Sequence, residues 1–210
     1  HSQRQFIGGC QWHPFDHQRG YHPDAYFGGI FDAFRQPKYA YEMFRSQTLY
    51  GGPSVFIANE MTPSSDSDVT VFSNCDSVRL IVFGGDMVKT LPVTHQVGEI
   101  PYAPVVFRGF WNFMKAREYS YKKRDWQHIS IVAEGIKEGR VVCSEKKSPS
   151  RRSTKIRLRV DSLGKTLTAD GSDFIVVIAE ITDDSGNVRR LAREQVSFTV
   201  EGEGRIIGDA

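Results

Sequence analysis

Val69-Thr70-Val71-Phe72-Ser73-Asn74-Cys75-Asp76-Ser77-Val78-Arg79-Leu80-Ile81-Val82-Phe83 is the stretch that decides the fold class. Apolar residues alternate with polar ones on either side of a polar Asn-Cys-Asp-Ser break, which is the period of a strand with one face buried. Gly84-Gly85-Asp86 follows as a turn. Ser54–Asn59 has the same alternation upstream, and His128–Glu134 and Arg140–Ser144 have it downstream, joined across Gly135–Gly139. The stretch between, with Pro92, Pro101 and Pro104, reads as irregular. Short alternating strands at this spacing predict a β-sandwich over residues 51–150.

Beyond a polar linker, Ser148-Pro149-Ser150-Arg151-Arg152-Ser153, the alternation returns. Strands are expected at Lys155–Val160, Phe174–Thr182, Glu194–Val200 and Arg205–Ile207, with a turn at Asp183-Asp184-Ser185-Gly186-Asn187. Residues 151–210 therefore read as a second sandwich, shorter than the roughly 100 residues of an immunoglobulin-like domain and so incomplete. The first fifty residues differ from both. Gln5-Phe6-Ile7-Gly8-Gly9-Cys10-Gln11-Trp12 is a short apolar run that suits a buried strand. Pro37 to Gln47 suits a helix, with Pro37 in its first turn, Ala40, Met43, Phe44 and Gln47 at helical spacing, and Gly51-Gly52-Pro53 as its stop. One strand, one long loop and one helix make a single β/α unit, which cannot bury both faces by itself.

The composition excludes several classes. Hydrophobic residues at 40% and charged residues at 25% fit a globular protein. No apolar run reaches the roughly 18 residues of a membrane span, and no basic segment followed by an apolar one marks a signal peptide. A net charge of +2 argues against nucleic acid. The densest basic stretch, Lys146 to Arg159, has no interleaved aromatics to stack on bases. Cys10, Cys75 and Cys143 form no C-x-x-C motif, so neither a zinc ribbon nor a redox motif is indicated.

Functional groups are densest just after the first predicted strand. Trp12, His13, Asp16, His17, Arg19, His22 and Asp24 lie close together in a loop rich in proline and glycine. A tryptophan beside carboxylate and imidazole suits a sugar, whose C–H face packs on the ring while its hydroxyls meet the polar groups. The same histidines could offer metal ligands, but the spacing is not H-E-x-x-H and the loop cannot present two ligands from one helix. Hydrogen bonding within the loop is the structural alternative.

These segments carry a family resemblance. Phe6 to Gly20, a strand ending in Trp12 followed by Phe15-Asp16 and a glycine, resembles the glycoside hydrolase family 2 pattern of β-galactosidase type. Gly28-Gly29-Ile30-Phe31-Asp32-Ala33-Phe34-Arg35-Gln36-Pro37-Lys38 resembles the segment leading into the last helix of that family's catalytic barrel, and Tyr41 to Gln47 continues it. Val71 to Leu80 is similar to the Asn-containing hairpin of the following sandwich. Asp161, Leu167, Ala169-Asp170-Gly171, Asp173, Asp184-Ser185-Gly186-Asn187 and Val200 to Gly208 are similar to the next immunoglobulin-like domain.

The resemblance implies a mostly β chain, with the last β/α unit of a TIM barrel at residues 1–50 followed by two immunoglobulin-like β-sandwich domains. It implies a parent that is a retaining exo-glycosidase for terminal β-linked sugars such as β-galactosides. Two glutamates about 5–5.5 Å apart would act there as acid and nucleophile. The family carries them on the fourth and seventh barrel strands, so neither is expected here, and this segment alone is expected to be inactive. Trp12, Asp16, His17 and Arg19 are the expected substrate-binding residues, and Asp32 is expected to hold the loop-to-helix junction. No cofactor and no metal are expected. Partners are a carbohydrate and the rest of the barrel, with homo-oligomerisation left open and a periplasmic or secreted location implied. A different class stays in play: a non-catalytic carbohydrate-binding or adhesion module, with Trp111, Trp126, Tyr119 and Tyr121 as its sugar platform.

Overall fold

In the computed structural model, residues 10–94, 100–162, 164–189 and 192–208 are described. The chain is mostly β and divides into two compact units, one ending at Pro149 and the other beginning at Ser150. The predicted first strand lies largely outside the described residues. Its last positions, Cys10 to Trp12, are exposed and not in a strand.

The first unit is built on two antiparallel sheets. One has the order β1-β2-β5, from Val55–Ala58, Val69–Ser73 and Val105–Phe107. The other has the order β4-β3-β6-β7, from Met87–Pro92, Ser77–Val82, Ile131–Lys137 and Arg140–Lys147. The alternation in the sequence becomes burial with period two. Val69 and Val71 of β2, and Val78, Leu80 and Val82 of β3, are fully covered, and they join Ile57, Phe107, Ile131 and Ala133 in one core between the sheets.

The expected hairpin at residues 71–80 is not one. β2 and β3 belong to different sheets, and Asn74-Cys75-Asp76 carries the chain from one to the other. Both strands bury alternate residues, so the sequence pattern is the same for a hairpin and a crossover. Asn74 settles the local geometry. It is buried, its Oδ1 accepts from Ser54 N at 2.7 Å, and its Nδ2 donates to Thr48 O at 2.8 Å and Gly52 O at 3.0 Å. The crossover is thereby fastened to the segment that leaves the first helix.

The stretch read as irregular holds four elements. β4 pairs with β3 along its whole length but has no second strand neighbour among the described residues, and its residues are mostly exposed, so apolar alternation is weak. Pro92 sits at its end, where an edge strand tolerates a residue without an N–H. Beyond β5, α2 (Phe113–Arg117) starts with Asn112 Oδ1 accepting from Lys115 N and runs into a π-helical turn over Glu118–Lys123. The predicted connection Gly135–Gly139 shrinks to Glu138-Gly139, both at positive φ, because β6 continues to Lys137.

The predicted helix over 37–47 is shorter, α1 at Tyr39–Arg45. Pro37 pairs instead with Phe31, and Lys38 is the cap. Ala40 and Phe44 face outward; contact with the sandwich comes from Tyr39 against Phe56 and from Gln47, whose side chain both donates to Tyr102 O and accepts from Tyr102 N.

The second unit holds one two-stranded antiparallel ribbon, β8 (Lys155–Asp161) and β9 (Val176–Thr182). Asp183, fully buried, organises the turn after β9 by accepting from Ser185 N, Asn187 N and Arg151 N. Residues 194–200 and 205–207, expected as strands, form no ladder among the described residues and are not strands. Their alternation is real, but a strand also needs a neighbour to receive its backbone hydrogen bonds.

Candidate functional site

The loop between Gln11 and Lys38 folds back on itself through backbone pairing. Phe15 bridges Phe31 and His17 bridges Tyr26, with Asp16 N donating to Phe31 O at 3.0 Å and Tyr26 N to His17 O at 2.9 Å. Gly29 makes the fold-back possible. A Cβ there would stand 2.4 Å from the Phe15 carbonyl carbon and 2.5 Å from Asp16 N, distances no side chain tolerates.

Asp16 is the staple of this loop. It is buried, and its Oδ1 accepts from Gly29 N at 2.9 Å and Lys38 Nζ at 2.8 Å. Its Oδ2 accepts from the same ammonium at 3.0 Å, and Lys38 also donates to Phe27 O. Burial pushes the Asp16 carboxyl up, but the bonds from Lys38 and Gly29 outweigh it and hold the group below the ordinary carboxylate range. Both oxygens are thus engaged within the protein. Asp32 Oδ1 accepts from Phe34 N and Gln36 N, closing the tight turn that leads to the helix.

Stapling Asp16 inward leaves its neighbours on the outer side. Trp12, His13, His17, Gln18, Arg19, Tyr21 and Tyr26 line an open recess of about 420 Å³. The His13 and His17 rings lie 4.3 Å apart between centroids, and each is 5.4 Å from Tyr26. Trp12 stands edge-on to His13 and is 85% exposed. Desolvation, and then the neighbouring His17, lower the His13 pKa, so its imidazole is neutral at pH 7 and offers one donor and one acceptor. Arg19 reaches His22 Nδ1 at 3.2 Å and Asp24 O at 3.5 Å; its Nε is covered yet has no hydrogen-bond partner among the described residues.

Three of the four expected substrate-binding residues, Trp12, His17 and Arg19, line this recess, while Asp16 lies beneath it. Sequence reading passed over Tyr26 and Lys38, because only the fold-back brings positions 26 and 38 to positions 17 and 16. Among the described residues no three His, Cys, Asp or Glu side chains converge as a metal site requires. His22 is drawn to Arg19 and Asp24 instead.

The aromatic platform expected of a binding module does not form. Trp111 and Tyr119 are buried, stacked on Phe83 at 5.6 and 5.8 Å, and belong to the sandwich core. Only Tyr121 and Trp126 remain at the surface.

Residues 156–210 match Glycoside hydrolase family 2 C-terminal domain 5. Over 96% of its length the chain is 31% identical to a β-galactosidase of Thermoanaerobacter pseudethanolicus, of which it covers 28%. Over 88% of its length it is 28% identical to a β-galactosidase of Bacteroides ovatus, of which it covers 19%. The chain thus spans 19–28% of the length of these relatives. Among solved structures, a β-glycosidase from Bacteroides vulgatus shares the fold over 84% of this chain and 20% of its own, with a TM-score of 0.60 at 20% identity.

Proposed function

Because the chain belongs to glycoside hydrolase family 2, as a segment of its C-terminal region, we propose that it completes a retaining exo-glycosidase acting on terminal β-linked sugars, with β-galactosides as substrates. In this reading residues 1–50 belong to the end of the catalytic (β/α)8 barrel, and residues 51–150 and 151–210 are immunoglobulin-like sandwich domains, the second incomplete. The acid and nucleophile glutamates come from earlier barrel strands, so the segment alone does not hydrolyse glycosides. Loops after the strands of such a barrel build its active site, which is where the Trp12–Tyr26 loop falls.

The observation that carries the proposal is the recess. An exposed indole, two imidazole rings and a guanidinium whose Nε has no partner among the described residues surround one open volume, and exposed aromatic groups clustered in this way mark a binding surface. Trp12 supplies a flat face for sugar C–H groups, and His17 and Arg19 supply hydroxyl partners. Asp16 is a positioning residue: through Gly29 and Lys38 it fixes the loop on which the other three stand. It bears no proton in the reaction.

In the parent enzyme, Trp12→Ala is expected to lower kcat/KM for an aryl β-galactoside roughly tenfold or more, the loss of one aromatic contact at the reacting sugar. An unchanged kcat/KM would remove the recess from the sugar site. Hydrolysis of the same substrate by the isolated chain would overturn the assignment of the glutamates to other strands.

A further inference from the structure

Cys75 and Cys143 are 68 positions apart, and both are free thiols. Their Sγ atoms nevertheless lie 3.8 Å from each other. Cys75 is on the crossover between the two sheets and is 1% exposed; Cys143 is half-buried on the outer strand β7. They meet over Gly135 of β6, the register partner of Cys143. A Cβ on Gly135 would stand 2.6 Å from both sulfurs, so only a residue without a side chain leaves this seat open. The β6–β7 register also slips between Gly135 and Ile136, so the ladder is locally disrupted beside the two sulfurs.

Bonded sulfurs sit about 2 Å apart, so closure needs the two sulfurs to approach by a little under ~2 Å. We propose that Cys75 and Cys143 are a latent dithiol, oxidised by low-molecular-weight disulfides to an intramolecular disulfide that fastens β7 to the inter-sheet crossover.

The chemistry is thiol–disulfide exchange. The Cys143 thiolate, the more accessible of the two, attacks RSSR, forming a mixed disulfide and releasing RS⁻. The Cys75 thiolate then attacks the Cys143 sulfur and expels the second RS⁻. The protein loses two protons and two electrons, and the oxidant leaves as two RSH. Burial, and then the adjacent Cys75, push the Cys143 thiol up to about 11, so the reaction is slow at neutral pH and accelerates about tenfold per pH unit until that group ionises.

The test uses the full chain with Cys10→Ser, incubated with glutathione disulfide, then denatured, alkylated and mapped by mass spectrometry. The expected product has lost two hydrogens and joins the Cys75 peptide to the Cys143 peptide. It forms faster as pH rises, and it unfolds at higher urea than the reduced chain because the closed loop restricts the unfolded ensemble. With Cys75→Ser added, Cys143 should stop at the glutathione mixed disulfide. Two alkylatable thiols after oxidation, or separate mixed disulfides on Cys75 and Cys143 without a link, would overturn the proposal.

Discussion

Residues 69–82 and residues 155–182 share the same alternating pattern, yet the two regions use it differently. In the sandwich, the apolar positions of β2 and β3 face a second sheet and are fully covered. In the ribbon, Ile156, Leu158 and Val160 line one face with Val177, Ala179 and Ile181 opposite them, and the first three are 58–64% exposed. On the other face Glu180 and Thr182 are buried, while Lys155, Arg157 and Arg159 stay exposed. Glu180, buried, accepts from Arg157 Nε at 2.7 Å, and Arg159 Nε lies 3.9 Å away. Alternation therefore specifies which residues share a face, while stabilisation requires another layer against that face. A two-stranded ribbon without one is marginal in water.

The largest effect should come from removing the same atoms on both sides of this contrast. Leu80→Ala, in the filled core, is expected to cost about 2–5 kcal/mol, and Leu158→Ala, on the open face, within about 0.5 kcal/mol. Urea unfolding of the two variants measures both; equal losses would mean that the ribbon's apolar face is covered in solution.

A smaller effect concerns what the ribbon has in place of a core. Asp183→Ala strips acceptors from Arg151, Ser185 and Asn187 N–H groups, at a cost of roughly 1–3 kcal/mol. Hydrogen exchange should show β8 and β9 amides losing protection while those of β3 and β6 keep theirs. Joint loss in both units would show that the two do not open independently.

The smallest effect is in the pH response. Asp86 accepts from Tyr119 Oη at 2.6 Å, and Lys115 Nζ at 2.9 Å and His128 Nε2 at 3.4 Å also face it. Tyr119, then Lys115, hold its carboxyl well below the usual range despite partial burial. A depressed folded-state pKa adds stability above the unfolded value near 3.8 that is lost as pH falls towards the folded value. The sandwich should therefore weaken below about pH 4. Asp86→Asn should flatten that dependence without changing the acid response of the ribbon, which has its own lowered carboxylates at Asp170, Asp173 and Asp183. An unaltered acid limb in the sandwich would remove Asp86 from its stability.

Family membership and the mostly β class were legible because both rest on linear order: period-two alternation, and the succession Trp12, Phe15-Asp16, Gly28-Gly29, Pro37-Lys38. The strands at 69–73 and 155–161 were legible for the same reason. Edge strand β4 and the short β5 were not, since a strand exposed on most of its surface leaves little alternation, and its identity depends on the neighbour that accepts its hydrogen bonds. Residues 194–207 show the converse, alternation without a partner.

The sequence by itself determined which residues alternate, where turns interrupt them, and that Trp12, His17 and Arg19 share one loop. Only the tertiary structure decided that β2 and β3 part into separate sheets, that Asp16 turns inward to Lys38 while Trp12 stays outside, and that Cys75 meets Cys143 over Gly135. The physical reason is common to all three. Local periodicity fixes the direction of a side chain relative to its own backbone, whereas its partner is set by long-range packing between segments that the linear pattern does not connect.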